Sequence, residues 1–357
     1  MSLAALYPLR FQPIYQYRLW GGRRLADVLG EPLPGDCPIG EAWVLSDRAD
    51  HPSRVVDGPL TGRTIAQLVE EYPTQLLGQR RQGWRRFPLL LKFLDARDVL
   101  SVQVHPSDRQ PEYLPDGETG KTEAWVVLDA GPHSRVYAGL RPGTTPDGLR
   151  RAVAEATVPS CVASFSPKPG DAVFLPAGTV HALGGDVVVF EVQQNSDVTF
   201  RLYDWDHLDP ISGQPRALQV EEALACVDFH QGAVSPATPV VEATAPAQRE
   251  RLFDCPAFTL WRLSGRSPFT VGLAGAARVV VCLDGTGEIE QGNASFPVRK
   301  GDVFVLPSVI GVCAFQPHGD VTVLELALPA APTNDAEGRS DALALDGVRS
   351  SSERAGR

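Results

Sequence analysis

The stretch KPGDAVFLPAG (168–178) returns in weakened form as RKGDVFVLPSV (299–309), and this pair decides the fold. Each copy is a Gly-Asp turn followed by an apolar run ending in Leu-Pro, which reads as a short strand entered from a tight turn and closed by a residue that cannot extend a ladder. Two related β units are therefore expected. The copies then diverge. Continuing the register sets His181 of the first opposite Val312 of the second, so only the first unit is expected to keep a polar site.

Working outward, the chain between these landmarks is a series of short β-type runs bounded by Gly and Pro: EAWVLS (41–46), PLLLKFLD (88–95), SVQVH (101–105), TEAWVVLD (122–129) and DVVVFEVQQ (186–194). Helical spacing is confined to 64–72, 146–156 and 218–227. Many short strands with few helices predict a mainly β protein, a sandwich or barrel. Residues 1–230 form the expected catalytic unit. The stretch 231–250, rich in Ala, Pro, Thr and Val, reads as a linker; 251–330 reads as a second, degenerate β unit, and 331–357 as a disordered tail.

With 357 residues the chain can bury sizeable cores, and its net charge of −10 argues against a general affinity for nucleic acid or anionic membranes. The N-terminus lacks a signal-peptide pattern and no apolar run approaches a bilayer span, so a cytoplasmic protein is expected. Six scattered cysteines suggest neither a disulfide framework nor a thiolate zinc site. The lone GTG at 285–287 lacks the remainder of a phosphate loop and reads as a hairpin turn.

The chemistry gathers around SVQVHPSD (101–108). Gln103 and His105 stand on one side of a strand, about 7 Å apart, with Val102 and Val104 on the other. Glu123 and Lys121 in GKTEAW and His181 in PAGTVHALGG supply possible companions. Two imidazoles, a carboxylate and an amide make an N/O donor set suited to a divalent first-row metal, and the lack of thiolates favours a catalytic over a structural zinc. Taken singly, each has a plainer reading: a hydrogen-bonded strand histidine, or a Lys121–Glu123 surface pair worth less than about 1 kcal/mol. Farther on, Asp197, Thr199 and Arg201 share one side of an extended segment, where Arg201 could meet an anion or simply pair with Asp197. Lys92, a lone cation in LLLKFLD, is expected to face a cavity rather than the core. Trp20 and Trp125 could line a sugar site or pack in the core.

These motifs, with RLWGG (18–22), GEAWVLS (40–46) and QQNSDVTFRLYDWD (193–206), resemble the type I mannose-6-phosphate isomerases, in particular the short bacterial form, over roughly residues 8–230. The resemblance implies cupin-type jelly-roll units and one Zn²⁺ per chain held by Gln103, His105, Glu123 and His181. It places the catalytic Arg at Arg201 and its neighbouring Asp at Asp197, and sets Trp20, Lys92, Ser101 and Lys121 around the substrate. The implied reaction is interconversion of mannose 6-phosphate and fructose 6-phosphate through a cis-enediol, with a small sugar phosphate as the only implied partner; no surface selects an oligomeric state. The base stays open among Asp197, a ligating imidazole and a metal-bound hydroxide. Two other readings are an isomerase or epimerase for a different sugar phosphate, and a noncatalytic sugar-binding module.

Overall fold

The computed structural model describes residues 6–79, 84–208 and 213–329. The expected tail lies outside the described residues. Four antiparallel sheets are stacked in two sandwiches. In the first, a six-stranded sheet holding Ile14–Gly22, Ile39–Leu45, Leu89–Ala96, Glu123–Ala130, Ala172–Leu175 and Val187–Gln194 faces a five-stranded sheet built from Val102–Val104, Val136–Leu140, Val162–Phe165, His181–Leu183 and Phe200–Tyr203. In the second, a seven-stranded sheet centred on Arg278–Asp284 and Val321–Ala327 faces a four-stranded sheet that includes Phe269–Gly272 and Val312–Pro317. This is the two-unit jelly-roll architecture expected.

Strand alternation explains the stacking. In Leu89–Ala96, Leu89, Leu91 and Phe93 point out of the first sandwich into a core shared with Leu260, Val279, Val281, Leu324 and Leu326 of the seven-stranded sheet. Lys92, Leu94 and Ala96 point inward. Phe93 and Phe190 meet edge to face at 5.4 Å within the shared core, a geometry worth about 0.5–1.5 kcal/mol beyond the area buried. The two units are thus joined by a continuous apolar layer.

The strand Val102–Val104 inverts the usual arrangement. Val102 and Val104 face outward and are covered by the helices Pro146–Ala154 and Val220–Cys226, through Leu149, Ala152, Ala223 and Leu224. The polar side of SVQVH is the one turned into the sandwich. Two helices therefore shield the apolar face, which frees the interior for chemistry.

Two expected boundaries need correction. The first unit does not begin the chain as a self-contained block, because Leu9–Arg10 pairs with Val305 and Phe304 and so forms an edge of the seven-stranded sheet. Without it the strand Val303–Leu306 would present a bare edge. Nor is 231–250 a free linker. Val234 N–H donates to Ala138 O at 3.0 Å and Ala237 N–H to Ala172 O at 2.7 Å, strapping the segment across the first unit. Gly139 permits this approach, since a Cβ there would stand 2.1 Å from Gly232 O. Val240–Ala243 then forms the opposite edge of the seven-stranded sheet. Its paired valines suit an extended edge, a preference hidden by the surrounding Pro and Ala. The GTG stretch is not a hairpin either: Gly285, at φ +82°, lies where the chain leaves the seven-stranded sheet for the four-stranded one.

Candidate metal centre and catalytic cavity

The two facing sheets of the first sandwich each contribute one row of side chains. On the five-stranded sheet, His181 is directly opposite Gln103, and Gln103 opposite Arg201, so three adjacent strands set these residues in a line. On the six-stranded sheet, Trp125, Glu191, Lys92 and Trp43 form a parallel row through direct cross-strand pairing. Glu123 stands one strand position beyond Trp125 on the same face.

Where the rows meet, His105, Glu123 and His181 converge with their donor atoms all within 4.8 Å of one another. His181 Nε2 lies 3.2 Å from Glu123 Oε1, and His105 Nε2 3.5 Å from Oε2. Each imidazole turns its other nitrogen to a backbone carbonyl, Nδ1 of His105 to Val198 O at 2.8 Å and Nδ1 of His181 to Thr179 O at 2.9 Å. These bonds place the proton on Nδ1 and leave both Nε2 lone pairs facing the carboxylate, the orientation of metal-ligating histidines. Gln103 Nε2 is 3.3 Å from His181 Nε2. Its amide oxygen and nitrogen occupy interchangeable positions, so a half-turn brings Oε1 to the same point.

The residues fit a metal ion. Both oxygens of Glu123 are buried without a well-aligned hydrogen bond, an arrangement that a protein rarely keeps unless a cation completes it. Lys121 Nζ, 3.0 Å from Glu123 Oε2 and 3.2 Å from His105 Nε2, supplies the positive charge instead. Burial opposes ionisation of Glu123, but Lys121 and then the two imidazoles outweigh it, and the carboxyl is held well below its ordinary range. Burial, reinforced by Lys121, pushes His105 well below the usual histidine value, which keeps its ring neutral and ready to ligate. The Lys121–Glu123 pair is thus no surface feature; both side chains are buried.

Above this floor opens a cavity of about 340 Å³ lined by Trp20, Lys92, Ser101, Gln103, Lys121, Trp125, Asp197, Thr199 and Arg201, among others. Lys92, the lone cation of its strand, faces the cavity. Trp20 and Trp125 do both things considered for them: they are buried in the inner core and they line the cavity. Arg201 and Asp197 form no ion pair. The guanidinium donates through NH1 to Ala217 O at 3.0 Å, and its buried Nε has no partner among the described residues. Burial, and secondarily Arg216, lower its pKa. Asp197 sits exposed at the rim.

Four charged lining residues escaped the sequence reading: Arg18, Glu41, Glu191 and Arg216. Lys92 Nζ lies 3.8 Å from Glu41 Oε2 and 3.7 Å from Glu191 Oε1, so one buried cation bridges two buried carboxylates. Burial disfavours the charge on Glu41, yet Lys92 and Arg18 hold the carboxyl down at about 2. Glu191 goes the other way. Burial and the neighbouring Glu123 raise its pKa, and only Trp125 Nε1 donates to it, at 3.2 Å. The signal for this triad was a single carboxylate inside VVVFEVQQ matching a single ammonium inside LLLKFLD, two buried charges that need each other.

The comparisons with known proteins agree with this geometry. Residues 8–122 match the phosphomannose isomerase type I catalytic domain. A Bacillus subtilis mannose-6-phosphate isomerase is 32% identical over 332 residues, covering 89% of this chain and 99% of the relative. The chain belongs to the type I phosphomannose isomerases. A mannose-6-phosphate isomerase of Streptococcus mutans is 33% identical over 321 residues, covering 89% of this chain and 97% of its own length. A crystal structure of the mannose 6-phosphate isomerase of Bacillus subtilis superimposes with a TM-score of 0.82 at 28% identity, covering 90% of this chain and 99% of that one. All six cysteines are free thiols, and among the described residues no helix is long and apolar enough to cross a membrane.

Proposed function

We propose that the chain interconverts mannose 6-phosphate and fructose 6-phosphate with one zinc ion held by Gln103, His105, Glu123 and His181. The observation that carries this reading is the convergence of two imidazoles and a carboxylate without a hydrogen bond beneath a cavity lined by charged side chains. An N/O donor set without thiolate suits zinc, which when bound would supply Lewis-acid charge to the sugar oxygens.

The isomerisation moves a proton from C2 to C1 while the carbonyl shifts from C1 to C2, through a cis-enediol. Among the described residues Arg201 has no carboxylate partner, and it lines the cavity beside Gln103, so its N–H groups stabilise the negative charge that develops on the sugar oxygens. Lys92, Lys121 and Arg216 each pair with a buried carboxylate, so with Ser101 they offer a phosphate dianion hydrogen-bond donors already balanced in charge, and Arg201 is the cavity cation without a carboxylate partner among the described residues. Of the three carboxylates lining the cavity, Glu41 is held down at about 2, which leaves Asp197 at the exposed rim and Glu191 in the wall as proton carriers. Glu191 suits the task better, because burial has raised its pKa toward the range where a carboxyl exchanges protons.

The test is a coupled assay for fructose 6-phosphate formation before chelation, after chelation and after zinc is restored, with glucose 6-phosphate run in parallel. Activity with mannose 6-phosphate should vanish and return. A folded, zinc-loaded sample that is inactive, or that prefers glucose 6-phosphate, would overturn the assignment. Arg201→Ala is expected to lower kcat by about 100- to 1000-fold with metal content unchanged. Parallel loss of metal would make Arg201 a structural residue.

A further inference from the structure

The second sandwich keeps the ground plan of the first and exchanges its donors. Leu175 and Leu306 occupy the same place in the two repeats; Leu175 pairs with Glu123, and Leu306 pairs with Arg278. A guanidinium therefore stands where the first unit places its ligating carboxylate. Gln103 is opposite His181, while the corresponding pair in the second unit is Gly272 opposite Val312. Glu191 lies between Trp125 and Lys92, and its counterpart Glu325 between Val280 and Trp261. Three metal donors are gone, and a cation has been added.

The charges around this second site are unevenly matched. Glu325 is buried and satisfied, accepting from Arg249 NH1 and Gly272 N–H, each at 2.7 Å. Arg249 also pairs with Glu242 at 3.6 Å, and Trp261 Nε1 donates to Glu242 at 2.9 Å. Arg249 and Arg278 lie 4.6 and 5.7 Å from the centroid of the Trp261 ring. Arg278 is different. It is half-buried, its only hydrogen bond is to Ala277 O at 3.2 Å, and among the described residues no carboxylate comes within ion-pair distance. Leu273 and Val312, at the same end of the sandwich, are exposed, and the carboxylate whose charge reaches Arg278 is Glu325, already satisfied by Arg249 and Gly272.

We infer that the mouth of the second unit is a binding site for a small oxyanion, a phosphate- or carboxylate-bearing molecule that pairs with Arg278 beside Trp261. A site built to attract a cation in the first unit has become one that attracts an anion in the second, with the ion's place taken by fixed positive charge. The site lies outside the catalytic cavity, so it does not depend on the isomerase reading.

The experiment uses the full, zinc-loaded chain and two probes. Crystals soaked in selenate should show an anomalous peak within hydrogen-bond distance of Arg278; its absence overturns the proposal. Calorimetric titration with inorganic phosphate at low ionic strength should find a site that Arg278→Ala weakens by about tenfold or more, the loss of one charge-assisted bond, whether or not the catalytic cavity adds a second. The same variant should keep kcat and KM for mannose 6-phosphate. Phosphate binding indifferent to Arg278→Ala and Arg278→Gln, even beside a selenate peak, would show an adventitious ion only and overturn it. If both variants fail to fold, the position of the selenate peak decides. Citrate and fructose 6-phosphate as competitors then separate a carboxylate from a phosphate ligand.

Discussion

Glu123→Ala is expected to empty the metal site and reduce turnover by on the order of 1000-fold or more, the equivalent of about 4 kcal/mol of transition-state stabilisation. In the proposed site Glu123 is the one anionic donor, beside two imidazoles and an amide. Its loss removes the charge that makes a divalent cation welcome in a site from which water is excluded. A second cost follows from the same geometry, because Lys121 would be left buried with its nearest counter-charge gone. An unpaired buried charge of this kind costs about 3–5 kcal/mol. The alanine variant therefore risks losing activity through instability alone. Glu123→Gln keeps the volume and one carbonyl oxygen, so it should fold better while still losing the anionic ligand. Metal content by atomic emission and stability by urea titration separate the two effects. A folded Glu123→Gln variant that retains a full complement of zinc but no activity would identify Glu123 as a proton carrier rather than a ligand.

How much of this was legible in the sequence differs from residue to residue, and the dividing line is strand register. Gln103 and His105 could be placed together because His105 directly follows the strand Val102–Val104 and the period of two carries on through it. His181 and Glu123 could be named from their motifs, but their convergence depends on two sheets facing each other, which local pattern does not encode. Glu41 and Glu191 were missed for a related reason. Each is one polar residue in an apolar strand, and its partner is found only once Glu191 is known to be opposite Lys92. The repeat motif correctly announced two β units, yet the expectation that the second was merely apolar came from comparing His181 with Val312 alone. Arg278 and Glu325 lie on other strands, outside the repeated stretch. The chain start was illegible because Leu9–Arg10 finds its partner nearly 300 residues away, a pairing fixed by the packing of the two units against each other.

Lys92→Met is expected to destabilise the fold by about 3–5 kcal/mol at neutral pH, although the substitution is nearly isosteric and makes an apolar strand more apolar. The reason is what it leaves behind. Glu41 retains Arg18 at 3.1 Å and Trp43 Nε1 at 2.6 Å, so its charge stays partly compensated. Glu191 retains one hydrogen bond, from Trp125 Nε1, and the charge of Lys121, and it still faces Glu123. Its pKa, already raised by burial and by Glu123, must rise further when the ammonium that lowers it is removed. A carboxyl whose folded pKa exceeds its unfolded value stabilises the fold fully below the unfolded pKa and loses that contribution as pH climbs through the folded one. The deficit of Lys92→Met relative to wild type should therefore narrow as pH falls from neutral toward the ordinary carboxylate range. Adding Glu191→Gln to Lys92→Met should recover much of the loss at neutral pH, because the stranded charge is gone. Urea titrations of the three variants at two pH values test this directly. A deficit independent of pH, and unrelieved in the double variant, would mean that Lys92 contributes through packing against Trp43, 5.1 Å from its ring centroid, rather than by holding two buried carboxylates apart.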